Sequence, residues 1–440
     1  MGLRPSLSAF RRPRSRSTVN PPAGLTAGRA GKARLEGVEG LRAVAASSIL
    51  VYHVWLYSQP GRRLADFGPL TRYVFPHLPL GVTLFFTLSA FLLYRPIVTA
   101  LVEGTPRPRL RTYLRNRALR ILPAYWVVLV VTAVLLPAAV LRTGPDTLEL
   151  GRMARDPGLL LRNAALLQNY IPGSFLTGIT PAWSLAVEVA FYLALPLLGL
   201  LAAACAVRTT NARDRLIATL APAATVLVVG LSGKAVAASW VVSAGTPNPG
   251  WDGDWHSVLV RSFWGQADLF TFGMVLAVVH VGLEQGLLTL PRWWRWAATG
   301  GALAAAAAVA VCADLGLWSA GRNPYELTGA LGCALLLALI VLPPADAEIR
   351  PGPLMRLLSA PVAVTAGLVS YSIFLWHEPL VRLLRSQGWT FPGRPGWAMN
   401  LVLVAALTAL ASAATYRWVE RPALRRKAQP SGRALWHDRG

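Results

Sequence analysis

The chain has 440 residues, 54% of them hydrophobic and 14% charged, with 43 Lys+Arg against 20 Asp+Glu. Soluble domains carry about 25% charged residues, so this composition excludes a string of soluble domains and points to a membrane protein. The net charge of +23 would suit nucleic acid only if it lay along one stripe; the positive residues sit between apolar runs instead, which excludes that class.

Residues 1–35 are basic, rich in Pro, Gly and Ser, and nearly free of large apolar side chains. They are expected to form a disordered cytoplasmic tail. No cleavable signal is evident, because the first apolar run begins near residue 40 with no small-residue cleavage site after it. Apolar runs then recur near 38–58, 79–99, 118–141, 182–204, 217–241, 262–283, 296–313, 326–343, 362–383 and 398–419. Each approaches the roughly 20 residues a spanning helix needs. The expected fold is all-α, a polytopic transmembrane helix bundle of about ten spans over 36–424, with a basic tail at 425–440.

With the N-terminus inside, most of the 43 Lys and Arg fall on inner segments, including seven Arg in residues 95–120. Cytoplasmic loops carry such an excess, so both termini are expected in the cytoplasm and the protein in the plasma membrane. The outer loop near GWDGDWHS reads as an interfacial Trp belt or a polar-ligand contact. Cys205, Cys312 and Cys333 show no metal-type spacing and are expected to be small buried hydrophobes.

Ionisable residues inside spans are costly and therefore informative. In GLRAVAASSILVYHVW, Arg42 and His53 are eleven positions apart. At 100° and 1.5 Å per residue they share one helix face, roughly 16 Å apart along the axis. The plain alternative is a snorkelling Arg and a packing His. Glu188 stands alone in PAWSLAVEVAFYLALP and needs a partner, either as a structural ion pair or as the group orienting a base. Asp268 poses the same question, while Lys234 can simply snorkel. In RPRLRTYLRNRALRILP, Arg117 and Arg120 sit three apart on a helix face, where two guanidinium forks can grip one polyanion. Ordinary positive-inside anchoring explains the same residues. His377, in SYSIFLWHEPLV, reads first as a structural hydrogen-bonding imidazole and second as a catalytic one. There is no HExxH, no G-x-S-x-G elbow and no P-loop in the chain, so no metal is expected.

Taken together, these segments resemble the membrane-bound acyltransferase family 3, whose members O-acylate polysaccharides, peptidoglycan, lipids and antibiotics. The likeness runs from about Leu35 to Pro422 with its pieces in order. Arg42 and His53 match the first-span Arg-x10-His motif, Gly81 to Pro96 the second span, and Arg117 with Arg120 the Arg-x-x-Arg segment. Trp183, Ser184 and Glu188 match a Trp-Ser-Leu…Glu segment, and Tyr371, His377, Glu420 and Pro422 the closing motifs. Ala90 stands where Gly is usual, Thr83 where an acidic residue is common, and Val189 and Ala190 follow Glu188 in place of a Gln.

The resemblance implies an O-acyltransferase that takes an acyl group, acetyl by default, from cytoplasmic acyl-CoA, with no permanently bound cofactor. The acceptor would be a hydroxyl of a cell-envelope glycan, glycolipid or secreted metabolite. Arg117 and Arg120, with Arg42 nearby, would hold the donor phosphates. His53 would act as general base or become acylated, and Glu188 would orient it. Trp183, Ser184, Tyr371 and His377 would serve substrate or structure. A polytopic transporter or lipid-linked flippase is the rival expectation, although no internal repeat relates the two halves.

Overall fold

A computed structural model describes residues 23–59, 64–107, 109–143, 148–240, 253–315, 323–343 and 352–427. Among the described residues, ten long helices lie in the ten apolar runs. They are α1 (Ala23–Tyr57), α2 (Leu80–Glu103), α3 (Leu110–Val130), α4 (Ala182–Ala206) and α5 (Leu220–Ser239), then α6 (Thr271–Glu284), α7 (Trp294–Asp314), α8 (Asn323–Val341), α9 (Ser370–Ser386) and α10 (Gly393–Thr415). Among the described residues, eight helices are long and apolar enough to cross a membrane by length and composition. The two runs outside that set carry the polar groups of interest, Arg42 and His53 on α1 and His377, Glu378, Arg382 and Arg385 on α9. The fold is an all-α membrane helix bundle. Its one sheet among the described residues is a short antiparallel pair, β1 (Ala139–Thr143) with β2 (Leu148–Gly151).

The expected tails fall mostly on residues 1–22 and 428–440, outside the described residues. From Ala23 onward the basic leader is helical and continuous with α1. Arg117 and Arg120 lie well inside a helix that begins at Leu110, before the apolar run itself. The run at 262–283 is broken into Phe263–Gln266, a tight 3₁₀ turn at Ala267–Phe270, and α6. The run at 362–383 is likewise split, into Pro361–Leu368 and α9.

What positions the site is how closely α1 is gripped. It packs on the Pro361–Leu368 helix, on α9 and on α2. A Cβ on Gly367 would collide with the Glu39 carbonyl oxygen, so only glycine there lets the two backbones meet. Further along, Leu50 and Val54 of α1 bury against Val381 and Leu384 of α9 and Val404 of α10. That apolar patch clamps the second half of α1 to α9, and His53 and His377 project beside it.

The Lys234 expectation is corrected. Lys234 does not snorkel: its side chain is 0% exposed, with Nζ 2.7 Å from Asp268 Oδ2 and 3.0 Å from Glu326 Oε2. Arg261 joins from the other side, 3.7 Å from Glu326 Oε1. The cause is local geometry. Gly230, one turn before Lys234, has no room for a Cβ against the Asp268 backbone and carboxylate, so α5 lies directly on the 3₁₀ turn. A lysine on that face meets the carboxylate before it can reach an interface, and an unpaired charge there would be prohibitively costly.

Candidate functional site

Five helices surround one cavity, and the closing turn of the chain reaches it through Arg120. Arg42 of α1, Ser89 of α2, Arg117 and Arg120 of α3, Glu188 and Tyr192 of α4, and Tyr371 of α9 give it a polar side. Phe85, Phe86, Leu92, Leu93 and Phe374 give it an apolar one, and the enclosed space is about 100 Å³. A water needs some 10–15 Å³ by this measure, so the space suits a narrow chain rather than a second folded partner.

The guanidiniums at this basic end are matched unequally. Arg42 Nε lies 3.6 Å from Glu39 Oε2 and 3.4 Å from Ser370 Oγ. Arg120 Nη1 lies 3.3 Å from Glu420 Oε2, and the Ser372 hydroxyl donates to the other oxygen of that carboxylate. Glu420 sits in a π-helical turn, Tyr416–Glu420, that ends the last long helix. Such turns re-aim a side chain, here inward, where Glu420 is buried. Arg117 stacks over the Tyr192 ring at 5.9 Å. Its Nε is buried with no hydrogen-bond acceptor, and Arg117 forms no ion pair among the described residues.

A fourth cation stands close by. The Arg115 guanidinium donates to the Arg426 carbonyl at 3.3 Å, and the short helix Arg421–Arg425 packs on α3. Lys427 follows it, half-buried. Burial first, then the positive charges of Arg117, Arg120 and Arg42, pushes its ammonium down to about 8.

Glu188 meets donors, not the imidazole. Its carboxylate accepts from the Ser89 hydroxyl and from Tyr192 OH at 2.5 Å, and no hydrogen bond joins it to His53 among the described residues. The orienting partner of His53 is His377. His53 Nδ1 lies 2.7 Å from His377 Nε2, and His377 Nδ1 lies 3.0 Å from the Ile373 carbonyl oxygen. A carbonyl only accepts, so His377 Nδ1 carries the proton and its Nε2 has the lone pair. With both rings neutral, His53 Nδ1–H therefore donates and His53 Nε2 is left as a free base. Tyr57 stacks on the other face of His53, with centroids 5.5 Å apart at 9°. The Arg382 guanidinium covers Tyr57 at 3.8 Å and is paired with Glu378.

The cavity and the histidine pair are separate but adjacent. Phe374, in the cavity wall, has its ring 5.9 Å from that of His377, and Phe85 closes edge-on against Phe374, also at 5.9 Å. Of the residues singled out in the sequence, the structure brings Arg42, Arg117, Arg120, Ser184, Glu188 and Tyr371 around the cavity. His53 and His377 lie just past its aromatic end. Tyr371 holds α9 to α3 by donating to the Ile121 carbonyl at 2.9 Å, and Ser184 caps onto Pro181. Trp183 points away, its ring covered by Arg261 at 5.0 Å.

Sequence reasoning did not identify Ser89, Tyr192 or Lys427 as site residues. The first two had a weak signal, being polar positions in otherwise apolar runs; Lys427 had none. Among the described residues, no three His, Cys, Asp or Glu side chains converge as a metal-ligand set. Chemically, the arrangement offers a cationic mouth, an apolar passage and a base of fixed tautomer.

A sequence profile of the acyltransferase 3 family, described as an acyltransferase domain, matches residues 35–417. No curated protein and no solved structure gives a significant match. The profile spans the long helices from residue 35 of α1 onward and the whole cavity lining, and it sets aside the transporter alternative. The chain belongs to the membrane-bound acyltransferase family 3 and is a multi-pass membrane O-acyltransferase.

Proposed function

We propose that the protein transfers an acyl group, acetyl by default, from acyl-CoA to a hydroxyl of a cell-envelope glycan, glycolipid or secreted metabolite. On this reading it lies in the plasma membrane with both termini and the basic mouth in the cytoplasm, where the donor is and where the Lys/Arg excess belongs. Coenzyme A is a phosphate-rich polyanion on a narrow pantetheine arm. Arg117, Arg120 and Arg42 receive the phosphates, and the arm carries the thioester past Glu188 and Ser89 toward Phe374.

The observation that carries the chemistry is the chain from the Ile373 carbonyl through His377 to His53. In the proposed step His53 Nε2 takes the proton of the acceptor hydroxyl as its oxygen attacks the thioester carbonyl. The tetrahedral adduct collapses, the C–S bond breaks, and the coenzyme A sulfur leaves with the proton returned from Nε2. His377 holds the His53 ring in the productive tautomer and takes a stronger hydrogen bond from Nδ1–H while His53 is charged. Glu188 acts in the cavity, as acceptor for Ser89 and Tyr192, and not on the imidazole.

Membranes supplied with labelled acetyl-CoA should pass label to an envelope glycan or lipid, and a deletion strain should lack that O-acyl group. His53→Ala should lower the rate about 10²–10⁴-fold with the protein still folded. His377→Ala should lower kcat, leave the donor KM near normal and shift the pH–rate profile, with His377→Gln recovering part of the loss. Near-normal transfer by His53→Ala would sink the base assignment.

A further inference from the structure

The cationic mouth is completed by the segment that follows the last long helix. We infer that Lys427 is a donor-binding residue, supplying with Arg117 two partly buried positive charges that receive a phosphate of the donor. This deepens the acyl-CoA reading and rests on it.

The argument begins with charge matching. Around the mouth, α1 presents Arg42 and Glu39, and α3 presents Arg115, Arg117 and Arg120. The π-helical turn presents Glu420, and Arg426 adjoins Lys427 in the chain. Glu39 is spent on Arg42 and Glu420 on Arg120, while the Arg115 fork is on the Arg426 carbonyl. Arg115 and Arg426 are exposed. Glu188 of α4 lines the cavity with Arg117 but is held by Ser89 and Tyr192, and Glu420 lies near Lys427. Arg117 and Lys427 are the partly buried cations left without a carboxylate in ion-pair reach among the described residues. A phosphate monoester carries roughly −1.5 to −2 charges near neutrality, which matches two such cations.

Holding like charges together without a counter-ion is unfavourable, so the placement itself needs a cause. Two contacts enforce it: the short helix Arg421–Arg425 packs on α3, with Ala423 buried, and Arg115 anchors Arg426. The chain thus spends contacts on bringing Lys427 toward Arg117, Arg120 and Arg42, against their mutual repulsion. Burial first, and that repulsion second, depress the ammonium. A bound phosphate reverses the sign of that repulsion, so binding is coupled to proton uptake at Lys427.

The test uses the full-length purified protein and coenzyme A itself, with calorimetric Kd and proton uptake measured from pH 7 to pH 10. Wild type should take up protons on binding near pH 9, and its Kd should weaken several-fold as pH rises through about 8. Lys427→Arg, always charged, should bind tightly with that slope flattened. Lys427→Gln should bind several-fold more weakly at pH 7, also without the slope, while eluting as a folded species. Coenzyme A binding that is as tight and as pH-dependent in Lys427→Gln as in wild type overturns the inference and leaves the donor reading intact. Failure of wild type to bind coenzyme A overturns the donor reading, and the role of Lys427 with it.

Discussion

Around Lys234 each charge has met its opposite, whereas around Arg117 the cations outnumber the carboxylates. The first group holds two cations, Lys234 and Arg261, against Asp268 and Glu326, with Lys234 and Asp268 fully buried. The second holds Arg42, Arg117, Arg120 and Lys427 against Glu39, Glu188 and Glu420, and it opens on a cavity. Both groups sit in the same bundle and use the same residue types. A closed, neutral cluster needs nothing further and ties α5, α8 and the 3₁₀ turn together. An open cluster with surplus charge is incomplete until an anion arrives. Charge balance, more than burial alone, separates a structural polar group from a ligand site.

The largest expected effect tests the closed cluster. Asp268→Leu removes one carboxylate and leaves Lys234 and Arg261 to share Glu326. That buried excess charge should cost about 3–5 kcal/mol of stability, read as a lower unfolding temperature in detergent or loss of the folded protein. Combining it with Lys234→Met removes one charge of each sign, and the double variant should recover much of the loss. If the double variant is as poor as the single one, the cluster is more than a neutral structural tie.

The open cluster should respond the other way. Arg117→Gln removes a guanidinium that forms no ion pair among the described residues, so stability should hold or rise slightly. Hydrogen bonds to charged groups contribute about 1.5–3 kcal/mol, so the donor KM should rise roughly ten- to hundred-fold, with acceptor KM unchanged. A selective loss of acceptor binding would move the phosphate site elsewhere.

The contrast also explains which features could be read from the chain. Apolar runs of spanning length predicted where the long helices lie among the described residues, because a span must satisfy its own backbone in lipid. Arg42 with His53, and Arg117 with Arg120, were legible because both pairs lie within one helix, where periodicity fixes the face. The breaks at Ala267–Phe270 and at Val369 were not, since tight tertiary contacts set them and the runs stay apolar across them. Pairings across the fold were equally hidden: His53 and His377 are 324 positions apart, and nothing local distinguishes His377 from Glu188 as the nearer partner. Lys234 looked like a snorkelling residue because its two carboxylates come from other segments. Lys427 sits among other basic residues near the chain's end, where composition suggests anchoring and only the folded arrangement singles it out.

The smallest effect follows from Lys427 without any ligand. Its folded value, about 8, lies below the ordinary 10.5, so between those pH values the unfolded chain binds this proton more tightly than the folded one. Stability should therefore rise with pH across that window, because ν for the unfolded state exceeds ν for the native state. Below about 8 both states are charged and the folded one carries the full cost of burial and repulsion. The group is half-buried and screened, so the gain is no more than about 1 kcal/mol. Tyrosines and thiols titrate in the same range, so the quantity to measure is the difference in unfolding temperature between wild type and Lys427→Gln. That difference should favour the variant near pH 7.5 and shrink toward zero by pH 10. A constant difference would mean that Lys427 feels neither burial nor the guanidiniums, and the open cluster would then hold three cations instead of four.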